Sequence, residues 1–514
     1  MAPPAMDKIL SAEDSCNPRD GTLFAPVLAT LLGIVVAAAM MLLAPVDIDL
    51  CGVPRIDVIN IADWSVAHKR IMAALSDVSQ PFIIAGLDRA AEAPDSVPWL
   101  AAWREAFSWS FENLAGGVHA NIPVPVRSVG SAVAAQFGYN SLQSAEDFLV
   151  GRTYPRVDAR VLFGPFLDSV VAAKNANRHQ LFSIGKGLEQ PEISPLPELS
   201  PSFPLPDFLR EHSGNRDVWH PILSIGAAGR AVAHHTHGRA WLVSVRGTKR
   251  WFLHPPNAAP HFANRAYAGS PTAWADKAVA HASGCARWRR LIGSWLASFG
   301  TLSRLLGLCD PAPPLICDAA RGEALVLPPL WFHATTNVGG ASIAVGHQQS
   351  MRFGGTAKIE PELATINATY PDSPHLLRLR SRVATASKRG VELLEQAALR
   401  NPVDFQMRTL LIFSLLQQYA TSGAVGHYEA VIRELREART MLRELHANGN
   451  GIFSGDEVAF ILRSMAASIE AANHPRALQG QSPSASQRLR SFMRVDRERL
   501  LQSARTVEAG GLLE

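Results

Sequence analysis

The sequence predicts a mixed α+β protein with an apolar N-terminal segment, a central β-barrel and a helical C-terminal domain. Three observations predict it: a long N-terminal stretch without charge, short apolar runs broken by Gly and Pro from Pro221 to Gln348, and helical periodicity after Gly355. The chain has 514 residues, of which 47% are hydrophobic and 18% are charged. It can therefore bury a core, and it is long enough for two or three folded units.

The N-terminal stretch predicts a membrane anchor. Residues 22–46 contain no charged side chain and are long enough to cross a bilayer as a helix. A cleaved signal peptide is the alternative, but its apolar core is usually shorter, and Pro45 hinders cleavage. Lys8 and Arg19 precede the segment, so we expect residues 1–21 to be a cytosolic tail. The prediction is a single-pass type II membrane protein whose body lies in the endoplasmic reticulum lumen or elsewhere in the secretory pathway.

A lumenal body would place the cysteines in an oxidising environment, in which disulfides persist. Two outcomes are open: Cys309 and Cys317 pair locally, or the cysteines are free buried thiols. The N-glycosylation sequon at Asn367, Ala368 and Thr369 agrees with a lumenal placement.

The chain between the anchor and the helical domain divides into three parts. Strand-like and helix-like patterns alternate in residues 47–189, which indicates α/β material. Residues 190–216 are rich in proline, and because proline fixes φ and has no N–H donor, we expect a loop there. Residues 217–352 carry the short apolar runs of the predicted barrel.

Residues 353–514 are predicted to form a helical domain whose segments are separated by Asn-Pro and Gly breaks. Within it, one loop follows the spacing of an EF-hand calcium loop at Asn448, Asn450 and Glu457. The first position of that loop, where an aspartate would bind calcium, is His446. We therefore expect a degenerate loop that does not bind calcium.

The charge pattern excludes one class of partner. The formal net charge is +4, and no stripe of Lys and Arg interleaved with aromatic residues is present in the sequence. Nucleic-acid binding depends on such a basic surface. We therefore expect a protein substrate or protein partner rather than a nucleic acid.

Three histidines lie within four positions of the stretch AVAHHTHGRAWLVSVRGTKRWFLHPP, residues 231–256. Side chains two apart in a strand share a face, so we expect His235 and His237 to face the barrel interior from one strand, with Gly247 easing the reversal into the next. A distant strand that follows a Pro-Pro turn supplies His333. Two ligands from one strand and a third from another can hold a divalent ion and leave coordination positions open.

The residues around these histidines resemble the Jumonji-C (JmjC) branch of the cupins. The first matching stretch is HTHGRAWLVSVRGTKRWFLHPP, and the second is LPPLWFHATTN, which ends at Asn337. The resemblance implies a double-stranded β-helix, the jelly-roll barrel of that family. Two positions depart from the cupin motifs: Trp241 or a neighbour stands where the first motif has a glutamate ligand, and Leu330 stands where the second has a glycine.

The resemblance also implies cofactors and site residues. JmjC proteins bind Fe(II) through an H-x-D/E pair and a distal histidine, and a lysine on the next strand holds the far carboxylate of 2-oxoglutarate. Carried over by motif position, the metal ligands are His235, His237 and His333, and the cosubstrate-binding residues are Lys249 and Asn337. The implied function is an Fe(II)- and 2-oxoglutarate-dependent oxygenase that hydroxylates a protein side chain.

His237 stands where the family has an acidic ligand. Three neutral imidazoles leave the iron with one more positive charge than a site with a carboxylate, which alters its redox properties. Two alternatives therefore stay open: a catalytically inactive JmjC-fold scaffold that recruits partners at the membrane, and a zinc-dependent cupin isomerase or hydrolase. Binding of 2-oxoglutarate requires Lys249 to face the histidines, whereas zinc chemistry does not.

Overall fold

The fold is that of a computed structural model, which describes part of the chain. The described residues are 50–58, 64–93, 97–128, 159–172, 179–184, 196–213, 219–229, 231–258, 275–276, 278–280, 282–284, 314–349, 360–371, 373–374, 376–377, 380, 388–400, 405–422, 425–447, 462–463, 466, 487 and 497–506. The predicted tail and anchor lie outside these residues, and so do Asn448, Asn450 and Glu457 of the EF-hand-like loop. Among the described helices, none is long and apolar enough to cross a membrane.

Strands and helices alternate in the first half of the chain, and helices follow the last strand. The strands are β1 (Arg55–Asp57), β2 (Phe82–Ala85), β3 (Pro123–Ser128), β4 (Ala159–Leu162), β5 (His179–Ile184), β6 (Trp219–Gly226), β7 (Ala231–His235), β8 (Ala240–His254), β9 (Leu315–Ala319), β10 (Ala324–Leu327) and β11 (Phe332–Gln349). The helices include α1 (Trp64–Ser76), α2 (Leu87–Glu92), α3 (Pro98–Ala102), α4 (Arg104–Phe107), α5 (Phe111–Gly116), α6 (Phe163–Ala172), α7 (Leu196–Leu199), α8 (Asp207–Ser213), α9 (Glu360–Thr369), α10 (Lys388–Arg400), α11 (Phe405–Ser422) and α12 (Val425–Ala447).

Two long strands, β8 and β11, are shared by two antiparallel sheets. The first half of β8 pairs with β10 and the second half with β9, while β11 pairs first with β7 and then with β6. One sheet therefore has the order β7–β11–β8–β9, and the other has the order β6–β11–β8–β10. The second sheet is extended by β2 and β1 beyond β10 and by β5, β3 and β4 beyond β6. This architecture confirms the predicted mixed α+β fold with the barrel strands at its centre.

The two sheets meet at Gly247. Residues 339–342 of β11 oppose Gly247 alone, because the register between β8 and β11 shifts there. Gly247 has a φ of 72°, and a Cβ atom on it would lie 2.5 Å from the carbonyl oxygen of Ala341. The predicted reversal at this glycine is wrong: β8 runs through it without a break, and the glycine allows the bulge at which one sheet bends into the other.

Apolar side chains fill the space between the sheets and cover their outer faces. The inner cluster includes Ile222, Leu242, Trp251, Leu253 and Leu325. The outer face of the larger sheet is covered by α1 to α5, α6 and α8, which contribute to one aromatic and aliphatic core. The molecule is thus layered, and the interior between the sheets is separate from the helical core outside them.

Trp241 belongs to the outer helical core. Its ring packs against Trp99 at 6.2 Å, Trp103 at 5.0 Å and Phe208 at 5.6 Å between ring centroids. It is completely buried. The residue that replaces the glutamate of the related motif is therefore a core residue on the face that packs against helices.

The proline-rich residues 190–216 contain helices where a loop was predicted. They form α7, a 3₁₀ helix at Ser200–Ser202 and α8. Pro201 lies in the first turn of the 3₁₀ helix, and Pro206 directly precedes α8. Proline is tolerated there because the first N–H groups of a helix have no intrahelical partner. The loop prediction is therefore wrong where α7, the 3₁₀ helix and α8 lie, and residues 190–195 and 214–216 lie outside the described residues.

A disulfide joins Cys51 to Cys317, which lie 266 positions apart. Cys317 is buried on β9, and Cys51 precedes β1 in a segment that crosses β9, where the Ile316 N–H donates to the Leu50 carbonyl at 2.8 Å. The predicted local pair of Cys309 and Cys317 is wrong, and so is the free-thiol alternative for Cys317. The fold therefore brings together two cysteines that lie far apart in the sequence.

The described part of the C-terminal region is helical. Its first helix, α9, contacts the barrel through Ile366 and, just beyond its end, through Tyr370 and Leu376, which pack with Val78 and Leu330. The longest helices, α11 and α12, pack against each other. The C-terminal region therefore reaches the barrel beside the turn that precedes β11.

Candidate metal and cosubstrate site

His333 is the second residue of β11 and lies between two partner strands. Its Cα partners are Leu253 on β8 and His235 on β7. Its ring is buried, and Nδ1 lies 3.0 Å from the carbonyl oxygen of Trp331. A carbonyl only accepts, so Nδ1 donates, and in the neutral ring this tautomer places the ligating lone pair on Nε2. The predicted Pro-Pro turn before His333 is confirmed, since β10 ends and β11 begins on either side of it.

His237 lies in the connection between β7 and β8. The expectation that it projects from the same strand as His235 is wrong, because β7 ends at His235 and the Leu330 N–H donates to the His237 carbonyl at 3.0 Å. The ring nevertheless contacts His333, with centroids 4.6 Å apart and planes at 76°. Nδ1 of His237 lies 2.7 Å from the carbonyl oxygen of Gly238, which favours the same ligating tautomer.

The third predicted ligand, His235, is located by its backbone. Its Cα atom is the direct partner of His333 in the β7–β11 ladder. Among the side chains that the structure describes, which do not include that of His235, no three His, Cys, Asp or Glu residues are grouped to hold a metal ion. The described site therefore brings two imidazoles together and places the backbone of the third beside them.

Lys249 is buried at the far end of the same strand pair. Its Nζ donates to Oδ1 of Asn337 at 2.9 Å and to Oγ of Ser224 at 3.3 Å. Burial lowers the pKa of Lys249 from 10.5 to about 7. Both partners are neutral, and a buried ammonium without a negative partner is costly. This end of the site therefore favours an anionic ligand.

Asn337 fixes the position of the lysine. Its Nδ2 donates to the carbonyl of Ala227 at 3.0 Å, and its Oδ1 accepts from Oγ of Ser342 at 2.6 Å as well as from Lys249. The sequence motif includes Asn337 but gives no sign of its contacts with Lys249 and Ser342 or of the contact between Lys249 and Ser224. A single serine in the apolar strand WHPILSIG is the signal that could have identified Ser224.

Lys249 and His333 lie on one face of β8 and β11. Side chains two apart in a strand share a face, and partners in an antiparallel ladder lie side by side. The Lys249–Asn337 pair and the Leu253–His333 pair are four positions apart on each strand, which corresponds to about 14 Å. This face consists of Lys249, Trp251 and Leu253 of β8 and of Asn337, Thr335 and His333 of β11.

Leu330 adopts the backbone conformation of the glycine that it replaces. Its φ is 65°, the only positive value of a described non-glycine residue. A left-handed conformation costs a leucine about 1–2 kcal/mol. Its buried side chain packs against Val78, Ile366 and Tyr370, which offsets this cost, and its N–H holds the carbonyl of His237. Leu330 therefore connects the contact with the C-terminal region to the loop between β7 and β8 that contains His237.

The sequence matches a family described as a Cupin-like domain over residues 69–352, more than half of the chain. JmjC domain-containing protein 8 of Rattus norvegicus is 32% identical over 114 residues, which cover 22% of this chain and 32% of the relative. The proteins of the same name from Mus musculus and Homo sapiens are 31% and 30% identical with the same coverage. The chain thus matches about a third of the length of these curated relatives. These matches confirm the resemblance that the histidine motifs indicated.

Proposed function

This chain belongs to the Cupin-like domain family, and on that premise we propose that it is an Fe(II)- and 2-oxoglutarate-dependent oxygenase that hydroxylates a protein side chain. The observation that carries the proposal is the buried ammonium of Lys249, which has neutral partners and shares a face with His333. Imidazoles at one end and a cation at the other suit a ligand that chelates a metal and carries a distant carboxylate.

The described imidazoles fit Fe(II). Neutral imidazole nitrogens are suitable ligands for divalent iron. The carbonyls of Gly238 and Trp331 hold the rings of His237 and His333 in the tautomer that ligates through Nε2. We propose His235 as the third ligand, on the basis of its backbone pairing with His333. When bound, the iron and 2-oxoglutarate supply the activation of dioxygen.

The chain's own residues bind and orient the cosubstrate. Lys249 binds the far carboxylate, and Asn337 holds Nζ in place for it. Trp251 and Leu253 form an apolar wall between the two ends, which excludes water from the bound ligand. One carboxylate of 2-oxoglutarate balances the positive charge of Lys249. The other supplies a negative charge at the metal end, where His237 stands in place of an acidic ligand.

We further propose that the body of the protein lies in the lumen of the secretory pathway, attached by the anchor predicted at residues 22–46. The disulfide between Cys51 and Cys317 supports this placement, because disulfides persist in oxidising compartments. A secretory-pathway protein is accordingly the proposed class of substrate. The scaffold alternative shares this placement and differs in having no turnover.

Turnover of labelled 2-oxoglutarate tests the proposal. The full chain is incubated with Fe(II), oxygen and 2-oxoglutarate labelled in its C1 carboxylate, with and without solubilised secretory-pathway proteins as a substrate source. We expect release of labelled carbon dioxide that the added proteins stimulate and that His333→Ala and Lys249→Met abolish. Lys69→Met, on the exposed side of α1, is the matched control and retains turnover. Release no greater than that of His333→Ala would refute the oxygenase and favour the scaffold.

A further inference from the structure

One polar group on the site face is not used by the proposed function. Trp251 is 4% exposed, and its Nε1 has no hydrogen-bond partner among the described residues. A buried donor without an acceptor costs free energy, so such groups in folded proteins usually have a partner or a functional reason. The indole N–H of Trp251 therefore requires an explanation.

Two other buried indoles of this protein have acceptors. Nε1 of Trp103 donates to the carbonyl of Pro204 at 2.9 Å, and Nε1 of Trp331 donates to the carbonyl of Val78 at 3.2 Å. Among the described residues, Trp219 also has a buried indole nitrogen without a partner, but its side chain is only half-buried at the start of β6. Trp251 is thus a buried tryptophan whose indole N–H has no acceptor among the described residues.

Trp251 lies between the two ends of the site. On β8 it lies two residues from Lys249, and its ring centroid is 5.7 Å from that of His333. Its Cα partner on β9 is the disulfide-bonded Cys317, and both side chains belong to the cluster packed between the sheets. The indole is therefore held in place between the two sheets, next to His333.

We propose that the indole N–H of Trp251 is a binding group for the 2-oxo acid, donating a hydrogen bond to an oxygen at the end of the ligand nearest the histidines. This inference rests on the proposed function. The other end of the acid is held by Lys249, so the two side chains fix both ends of one ligand along a single strand. A hydrogen bond between a neutral donor and a charged acceptor is of the strength that changes affinity about tenfold or more.

The substitution Trp251→Phe separates this role from a structural one. It retains a buried aromatic ring and removes the donor together with part of the indole bicycle. We expect the melting temperature of the ligand-free variant to fall less than that of Trp103→Phe, because both variants lose ring volume and only Trp103→Phe also breaks a hydrogen bond. We expect its affinity for 2-oxoglutarate to fall about tenfold or more. A lower affinity together with this smaller loss of stability is not what a general packing defect produces.

Trp103→Phe is the matched control. It removes an indole N–H that has an acceptor, on the outer face of the larger sheet, and is expected to lower the melting temperature and leave the affinity unchanged. Affinity is measured by calorimetric titration of 2-oxoglutarate into the full chain loaded with Fe(II) under anaerobic conditions. Equal affinity of Trp251→Phe and the wild type would overturn the inference and leave the proposed function intact. A fall in melting temperature like that of Trp103→Phe would also overturn it, whereas absence of binding by the wild type itself would overturn the proposed function.

Discussion

Replacing Lys249 by methionine is expected to stabilise the ligand-free protein at acidic and neutral pH. Burial lowers the pKa of Lys249 from 10.5 to about 7. Each pH unit of such a difference corresponds to about 1.4 kcal/mol, so the charged lysine destabilises the folded state by about 5 kcal/mol below pH 7. The variant removes this charge and retains a side chain of similar volume.

The substitution leaves few groups without a partner. Oδ1 of Asn337 still accepts from Ser342, and its Nδ2 still donates to the carbonyl of Ala227. Both hydrogen bonds from Nζ are lost, to Oδ1 of Asn337 and to Oγ of Ser224, but Asn337 keeps its two other partners, so the cost is about 1 kcal/mol. The expected net gain in the free energy of unfolding is therefore about 4 kcal/mol at pH 6.

The stability advantage of Lys249→Met over the wild type falls as the pH rises. Below pH 7 the folded and unfolded chains both carry the proton on Lys249, and the full cost of burial is present. Between pH 7 and 10.5 the unfolded chain binds more protons than the folded one, so the wild type becomes more stable as the pH rises. The advantage of Lys249→Met consequently disappears towards pH 10.

Urea denaturation of the ligand-free proteins from pH 6 to pH 10 measures this difference. Lys69→Met is the control, because that lysine is exposed on α1 and its replacement leaves the difference from the wild type independent of pH. If Lys249→Met were less stable than the wild type at pH 6, or if the difference did not change with pH, Lys249 would not be a buried cation without a counter-charge.

Three further substitutions test the fold around the site. Leu330→Gly removes the cost of a left-handed leucine, about 1–2 kcal/mol. It also removes a buried side chain that stabilises the fold by about 2–5 kcal/mol. We therefore expect a net loss of about 1–3 kcal/mol in urea denaturation; a more stable variant would contradict the anchoring role. Gly247→Ala meets the carbonyl of Ala341 at a positive φ and is expected to lose about 2 kcal/mol or more; unchanged stability would argue against the bend. Cys51→Ser is expected to lower stability by about 2–5 kcal/mol and to leave Cys317 open to alkylation in denaturant without reductant; an already alkylatable wild-type Cys317 would rule out the disulfide.

Patterns within single strands were sufficient to predict much of the site. Lys249, Trp251 and Leu253 alternate along β8, and the ladder with β11 places them on one face. The Pro-Pro turn correctly predicted the strand that begins before His333. These features depend on the two-residue period of a strand and on the geometry of proline, which are local properties.

Features that depend on distant contacts could not be predicted. His237 leaves the strand because the amide of Leu330, far along the chain, holds its carbonyl. Cys317 pairs with Cys51 because the segment before β1 crosses β9, which no spacing between cysteines encodes. The role of Ser224 likewise appears only when β6 lies beside β11.

Metal-dependent binding of 2-oxoglutarate tests the central claim most directly. Calorimetric titration of the anaerobic full chain, with and without Fe(II), measures affinity and stoichiometry for the wild type, His333→Ala and Lys249→Met. We predict saturable binding of one 2-oxoglutarate per chain that requires the metal, is lost in His333→Ala and falls about a hundredfold or more in Lys249→Met, since a charged hydrogen bond is removed from a buried site. Binding that is equal in all three proteins, or absent from the Fe(II)-loaded wild type, would contradict the assignment of this interior as a metal and 2-oxo acid site.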